Sequence, residues 1–282
     1  MNNIAWIDGS HCNLEEAKIS IEDRGYLLGD GVYEVIRVYK RKPFYLDAHL
    51  ERLQRSAEAI RIDLPYQLSD INSTALDLVD KSSCVEGYIY MQLTRGSAKR
   101  DHLFPANTSP TLVMYIRGLE PLQAAEDIQP VKAVTLPDER WLNCYIKSTN
   151  LLPNLLARQK AAEAGAVEAI LYRQDETVTE GTRSNIFTVI DGQVRTHPAN
   201  NLILPGITRD IVLSLLRDLS IPFSEEAFSL KELSMADEVW ATSTTMEVNP
   251  ILAIDGINLS AAPGPICSRL MAAFREIIAD NT

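Results

Sequence analysis

Residues 184–196 read Ser184-Asn-Ile-Phe-Thr-Val-Ile-Asp-Gly-Gln-Val-Arg-Thr196. Two apolar, β-branched runs flank Asp191-Gly192, a pair suited to the positive φ angles of a two-residue turn. The spacing predicts strands over 184–190 and 193–196 joined as a hairpin. Outward from it, VYEVIRVY (32–39), GYIYMQLTRG (87–96) and TLVMYIR (111–117) also read as strands, as do 131–136, 167–173 and 238–242. Helical periodicity falls between and after them. Asp47 is expected to cap a helix through HLERLQRSAEAI, where Leu50, Leu53, Ala57 and Ile60 share a face, and a second helix covers SDINSTALDLVDK. Further helices are expected over 151–164, 208–218 and 265–279. Many strands are joined by short turns, so the expected class is α+β with largely antiparallel sheets. The polar, Pro-bearing stretch GLEPLQAAEDIQP separates two strand-rich regions. The expected division is a smaller N-terminal domain over 1–118, a linker over 119–130 and a larger C-terminal domain over 131–282.

The chain has 282 residues, 27 of them basic and 38 acidic, for a formal net charge of −11. That balance argues against nucleic acid or an anionic membrane as partner, because a phosphate surface rewards clustered Lys and Arg. Apolar residues make up 46%, which excludes a disordered chain. Cys12, Cys84, Cys144 and Cys267 are scattered without C-x-x-C spacing, so neither a zinc site nor a disulfide framework is expected. MNNIAWIDGS lacks the basic and apolar regions of a signal peptide. No apolar run approaches the ~18 residues of a membrane span. The expectation is a cytoplasmic protein that handles small molecules.

Several segments carry chemistry. Lys147 follows the aromatic run Arg140-Trp-Leu-Asn-Cys-Tyr-Ile and precedes Ser148-Thr-Asn150. Burial disfavours an ammonium, so such a lysine can serve as a neutral amine nucleophile; the plainer reading is a surface lysine at a strand end. Glu180 lies in Val178-Thr-Glu-Gly-Thr-Arg-Ser-Asn185, read as a turn between strands. A carboxylate held there could keep a ring nitrogen protonated, or be an exposed turn glutamate. Leu204-Pro-Gly-Ile-Thr-Arg209 opens a helix. Gly206 would let an anion approach the amides of Ile207 and Thr208, or Thr208 or a neighbour would simply cap the helix. Thr242-Ser-Thr-Thr245 offers further hydroxyls after a strand. Arg100 and His102, at alternate positions, suit a carboxylate ligand, or are solvated surface charge. Neither His49 nor His197 has partners at metal or triad spacing, and Arg24-Gly-Tyr-Leu-Leu-Gly-Asp-Gly-Val-Tyr-Glu34 is no dinucleotide fingerprint.

Taken in order, EDRGYLLGDGVYEV (22–35), HLERL (49–53), TRGSAKRDH (94–102), RWLNCYIKS (140–148), EAILYR (168–173), VTEG (178–181), THPANNLILPGITRD (196–210) and TSTTMEVNP (242–250) resemble the fold-type IV pyridoxal-phosphate enzymes, and within them the D-amino acid aminotransferases. The resemblance spans nearly the whole chain. It implies a two-domain fold, with a smaller N-terminal α/β domain, a larger C-terminal domain built on a barrel-like sheet, and pyridoxal 5'-phosphate as cofactor. It implies that Lys147 is the Schiff-base lysine and that Glu180 stands beside the pyridine nitrogen. Arg52, Ile207, Thr208, Ser243 and Thr244 would hold the cofactor phosphate, and Leu204 would pack against its ring. Tyr33, Arg100 and His102 would trap the substrate carboxylate, the last two presented by the neighbouring subunit of a homodimer. The implied reaction exchanges the amino group between D-alanine and 2-oxoglutarate. Alternatives on the same fold are a branched-chain L-amino acid aminotransferase and an aminodeoxychorismate lyase; outside enzymes, a non-catalytic cofactor carrier. One departure is Thr182-Arg183-Ser184, where the resemblance leads one to expect small serines after the glutamate-glycine pair.

Overall fold

The computed structural model describes residues 3–120 and 124–282, so positions 121–123 of the expected linker lie outside the described residues. The chain forms two compact units. One comprises Met1–Leu122, Ile146–Asn150 and Asn281–Thr282, the other Gln123–Tyr145 and Leu151–Asp280.

The first unit is built on strands β1 (Ile4–Ile7), β2 (Ser10–Asn13), β3 (Gly31–Tyr39), β4 (Lys42–Pro43), β5 (Gly87–Thr94) and β6 (Thr111–Gly118). They form one antiparallel sheet in the order β2-β1-β6-β5-β3-β4. The two-residue period of β3 sends Val32, Ile36 and Val38 to a single face. Its helices are α1 (Arg24–Leu28), α2 (Leu46–Ala59) and α3 (Leu68–Lys81). Leu46, Leu50, Leu53 and Ala57 of α2 and Ile71, Ala75 and Leu78 of α3 recur at helical spacing and pack on that face as one core. Asp47 is not the cap of α2: Tyr45 holds that position with φ of 54°, and Asp47 sits in the first turn. There it still meets the positive helix end, and it accepts a bond from Asn72 Nδ2 at 2.6 Å.

The segment 146–150 belongs to this unit, although the sequence reading placed it within 131–282. Tyr33 N donates to Lys147 O and Thr149 N to Gly31 O, both at 3.0 Å, and Val32 bridges Ser148. Ile146 completes the core. So short a piece has no composition signal of its own.

The second unit contains β7 (Val131–Pro137), β8 (Glu168–Tyr172), β9 (Val178–Gly181), β10 (Asn185–Ile190), β11 (Gln193–Thr196), β12 (Phe223–Ser224), β13 (Glu238–Ser243), β14 (Glu247–Ile254) and β15 (Ile257–Asn258). The sheet runs β12-β11-β10-β13-β14-β7-β8-β9, with β15 on β14, and curls into a half-barrel. As expected, most of its pairings are antiparallel; the exceptions are β7, which pairs in parallel with both β8 and β14, and β11 with β12. Parallel neighbours need a long crossover, and α4 (Leu152–Glu163) lies between β7 and β8. The 184–196 hairpin forms as expected, with Ile190 opposite Gln193 and positive φ at Asp191 (52°) and Gly192 (74°). Helices α5 (Ile207–Asp218), α6 (Leu230–Ser234) and α7 (Pro265–Asn281) complete the unit.

Candidate active site

In the first unit, the alternation that buries Val32 and Ile36 also drives Glu34 into the core face. His49 and Arg52, three residues apart on α2, meet it there. Arg52 Nε and Nη2 donate to the two carboxylate oxygens at 2.7 and 2.8 Å, and His49 Nδ1 lies 2.7 Å from Oε2. Burial pushes the Glu34 carboxyl up, but Arg52 and then His49 outweigh it, and Glu34 titrates well below the usual carboxylate range. Burial lowers His49, opposed by Glu34 and aided by Arg52 and Lys147. A depressed pKa in either group means that the unfolded chain binds more protons on acidification. Stability is therefore expected to fall once pH drops below about 6.5, the ordinary histidine value, and more steeply below about 4.5, the ordinary glutamate value. Thermal melts across that range check this. A Glu34→Gln variant as acid-sensitive as the parent would remove Glu34 from the account.

Lys147 is half-buried beside this cluster, in the same unit. Its backbone is pinned from two sides: Lys147 N donates to Ser56 Oγ of α2 at 3.2 Å, and Lys147 O accepts from Tyr33 N. Its Nζ lies 4.3 Å from the Tyr33 ring centroid. Among the described residues no carboxylate pairs with this amine. A lysine lacking an ion-pair partner keeps its nitrogen available for a carbonyl. Arg100 and His102 lie exposed in the loop after β5. Arg183 is exposed as well.

The second unit assembles the acidic centre. Glu180 is not in a turn but in β9, and it is buried. The segment Val-Thr-Glu-Gly is too short and polar to read as a strand. Arg140 Nη1 donates to Glu180 Oε1, Asn185 Nδ2 to Oε2 at 2.9 Å, and Leu204 N to both oxygens at 3.1 and 3.2 Å. Burial raises the Glu180 carboxyl, and Arg140 opposes it. Arg140 is in turn clamped by Asp138, at 2.9 Å through Nε and 2.8 Å through Nη2.

Asn185 joins this centre to the start of α5. It donates to Leu204 O at 2.9 Å, and its Oδ1 comes so near Gly206 that a Cβ there would meet it at 2.2 Å. Only glycine fits. Gly206, a neighbour of Thr208, is the N-cap of α5, and no side chain caps it. The first amides of α5 thus lack a protein partner from a cap, at the positive end of a twelve-residue helix. The β10–β13 register sets Thr242 opposite Asn185, which brings the Ser243-Thr244 turn to the same end. Thr242 Oγ1 is buried without a partner among the described residues. An uncapped helix start beside an orphaned hydroxyl suits a phosphate, so the donor set fits a phosphorylated cofactor.

Sequence reading missed Glu34, His49, Asp138, Arg140 and Asn185 as working residues. Glu34 and the His49/Arg52 pair were findable as polar residues on otherwise apolar faces. Nothing local marks Asn185, whose partners come from distant segments.

The chain matches the family described as amino-transferase class IV over residues 31–254. It is 43% identical over 280 residues to the D-alanine aminotransferase of Staphylococcus aureus (strain N315), covering 98% of each chain. To the D-alanine aminotransferase of Bacillus licheniformis it is 45% identical over 270 residues, covering 95% of this chain and 94% of that one. A branched-chain amino acid aminotransferase from T.th., solved with pyridoxamine 5'-phosphate, superposes with a TM-score of 0.91 at 26% identity, covering 100% of this chain and 96% of that one. The chain belongs to the class IV aminotransferases. It is a pyridoxal-phosphate-dependent enzyme.

Proposed function

We propose that the enzyme is a D-amino acid transaminase that moves the amino group of D-alanine to 2-oxoglutarate, giving pyruvate and D-glutamate. The observation that carries this reading is the near-full-length identity of 43–45% to D-alanine aminotransferases, against 26% to the branched-chain structure. Lys147, whose amine pairs with no carboxylate among the described residues, would hold the cofactor through that amine and, as base and then acid, would move the proton from the substrate Cα to the cofactor carbon that bears the amino group. Glu180, oriented by Arg140 and Asn185, would keep the pyridine nitrogen protonated. The bound cofactor supplies an electron sink for the Cα carbanion. Ile207 and Thr208 would hold the phosphate through the α5 amides, with Ser243, Thr244 and Arg52 assisting, and Leu204 would pack on the ring. Tyr33, Arg100 and His102 anchor the substrate carboxylate, the last two across a homodimer. The free cysteines suit a cytoplasmic location.

Incubation of the purified holoenzyme with D-alanine or L-leucine, each with 2-oxoglutarate, and separately with aminodeoxychorismate, is the decisive assay. Pyruvate from the D-alanine reaction is expected, with turnover of the other two lower by orders of magnitude. Faster turnover of L-leucine would assign the enzyme to the branched-chain reaction.

A further inference from the structure

Two buried arginines in the first unit have no part in the chemistry above. Arg24, in α1, is 2% exposed, and Arg95, just after β5, is 7% exposed. Both converge on Asp30. Arg24 Nε and Arg95 Nε each donate to Asp30 Oδ2 at 2.8 Å, and Arg95 Nη2 reaches Oδ1 at 3.0 Å. Arg95 is anchored further by Ile60 O and Arg61 O, each at 2.7 Å. The Arg24 Nη1 and the flat face of the Arg95 guanidinium then meet the loop after β5. Arg24 Nη1 donates to Asp101 O at 2.7 Å, and the Arg95 guanidinium lies 3.6 Å from the Phe104 ring centroid. The loop base is bound to the same region, with Arg24 N on Gly96 O at 3.0 Å and Ala98 N on Glu22 O at 3.2 Å.

The Asp101 carbonyl belongs to the residue between Arg100 and His102. Fixing that carbonyl fixes the directions in which the two flanking side chains leave the backbone. An exposed loop would otherwise sample many such directions, and holding it in one removes an entropic cost from ligand binding. A buried arginine with a paired carboxylate behind it is a stiff post for the purpose, because its planar fork binds two acceptors at once. We propose that Arg24, braced by Asp30 and Arg95, is a positioning residue that presents Arg100 and His102 to the substrate carboxylate. It touches no substrate itself. The inference rests on the reading of Arg100 and His102 as the carboxylate anchor.

The test uses purified holoenzyme and glutarate, a dicarboxylate with no keto group, titrated by calorimetry, alongside steady-state kinetics. Arg24→Lys keeps the charge beside Asp30 but cannot span both acceptors. It is expected to weaken glutarate about tenfold and to raise the KM for 2-oxoglutarate similarly, with kcat nearly unchanged. A merely structural arginine would lower the melting temperature and leave glutarate affinity alone, and that result would overturn the proposal. Arg100→Ala provides the reference. If the double variant loses less glutarate affinity than the two single losses combined, Arg24 acts through Arg100 and His102 as proposed; full additivity would overturn it. If Arg100→Ala itself leaves glutarate binding intact, the anchor reading fails and this inference with it. If it weakens binding while Arg24→Lys does not, only the positioning role fails. Should Arg24→Lys not fold, Phe104→Ala at the exposed far end of the loop carries the same test, with a several-fold weakening expected and no change overturning it.

Discussion

Lys147→Ala is expected to lose transamination by roughly ten-thousand-fold, the upper range for removal of a positioned acid–base group. The loss should be local. Lys147 is fixed through its backbone, by Ser56 Oγ and Tyr33 N, and both bonds survive truncation beyond Cβ. The variant should therefore melt close to the parent and keep the Glu34, His49 and Arg52 cluster. Added methylamine, which fits the space vacated by the side chain, should restore part of the rate. Borohydride reduction of the parent followed by peptide mapping should place the cofactor label on Lys147. A variant turning over within tenfold of the parent, or a label on Lys132 or Lys160, would remove Lys147 from the reaction.

Glu180→Gln is expected to slow the half-reaction by about a hundredfold or more while leaving the cofactor bound. An amide cannot keep a pyridine nitrogen protonated, so the carbanion loses much of its stabilisation. The structure adds a second cost. Glu180 accepts from Arg140, Asn185 and the Leu204 amide, and Arg140 and Asn185 reach separate oxygens. A glutamine must turn its own NH2 toward one of these donors, which leaves a buried donor unmatched at a cost of about 1–3 kcal/mol. The variant should thus be slower and less stable than the parent, by stopped-flow absorbance and thermal melting respectively. Parental rates would reduce Glu180 to a structural strand residue.

The strands and helices with strong periodicity were legible in the sequence, from the 184–196 hairpin to the apolar stripe of α2. Pieces whose neighbours determine their conformation were not. Glu180 read as a turn because Val178–Gly181 is short and polar, yet hydrogen bonding to β8 makes it a buried strand. Asp47 read as a cap because a carboxylate near a helix start is usually one, whereas the chain enters α2 through a left-handed Tyr45. The parallel pairing of β7 with β14 joins segments more than a hundred residues apart, which no local pattern records. For the site, residue types and order pointed to the lysine, the acid and the uncapped helix start. The supports, Asp138, Arg140 and Asn185, became visible only when separate segments met.

The excursion of Ile146–Asn150 into the first unit has a consequence for how this enzyme can be divided. A gene fragment ending at the natural break near Leu122 would encode the sheet and the Glu34 cluster, but neither Ile146 for its core nor the reactive amine. The complementary fragment would carry Lys147 stripped of Tyr33 and Ser56. Two such fragments should regain activity only when mixed and refolded together, since the second holds part of the first one's interior. Exchange of either unit between relatives by a single crossover would break the same bond of dependence, so functional chimaeras of this fold need the five-residue insert to travel with the N-terminal sheet.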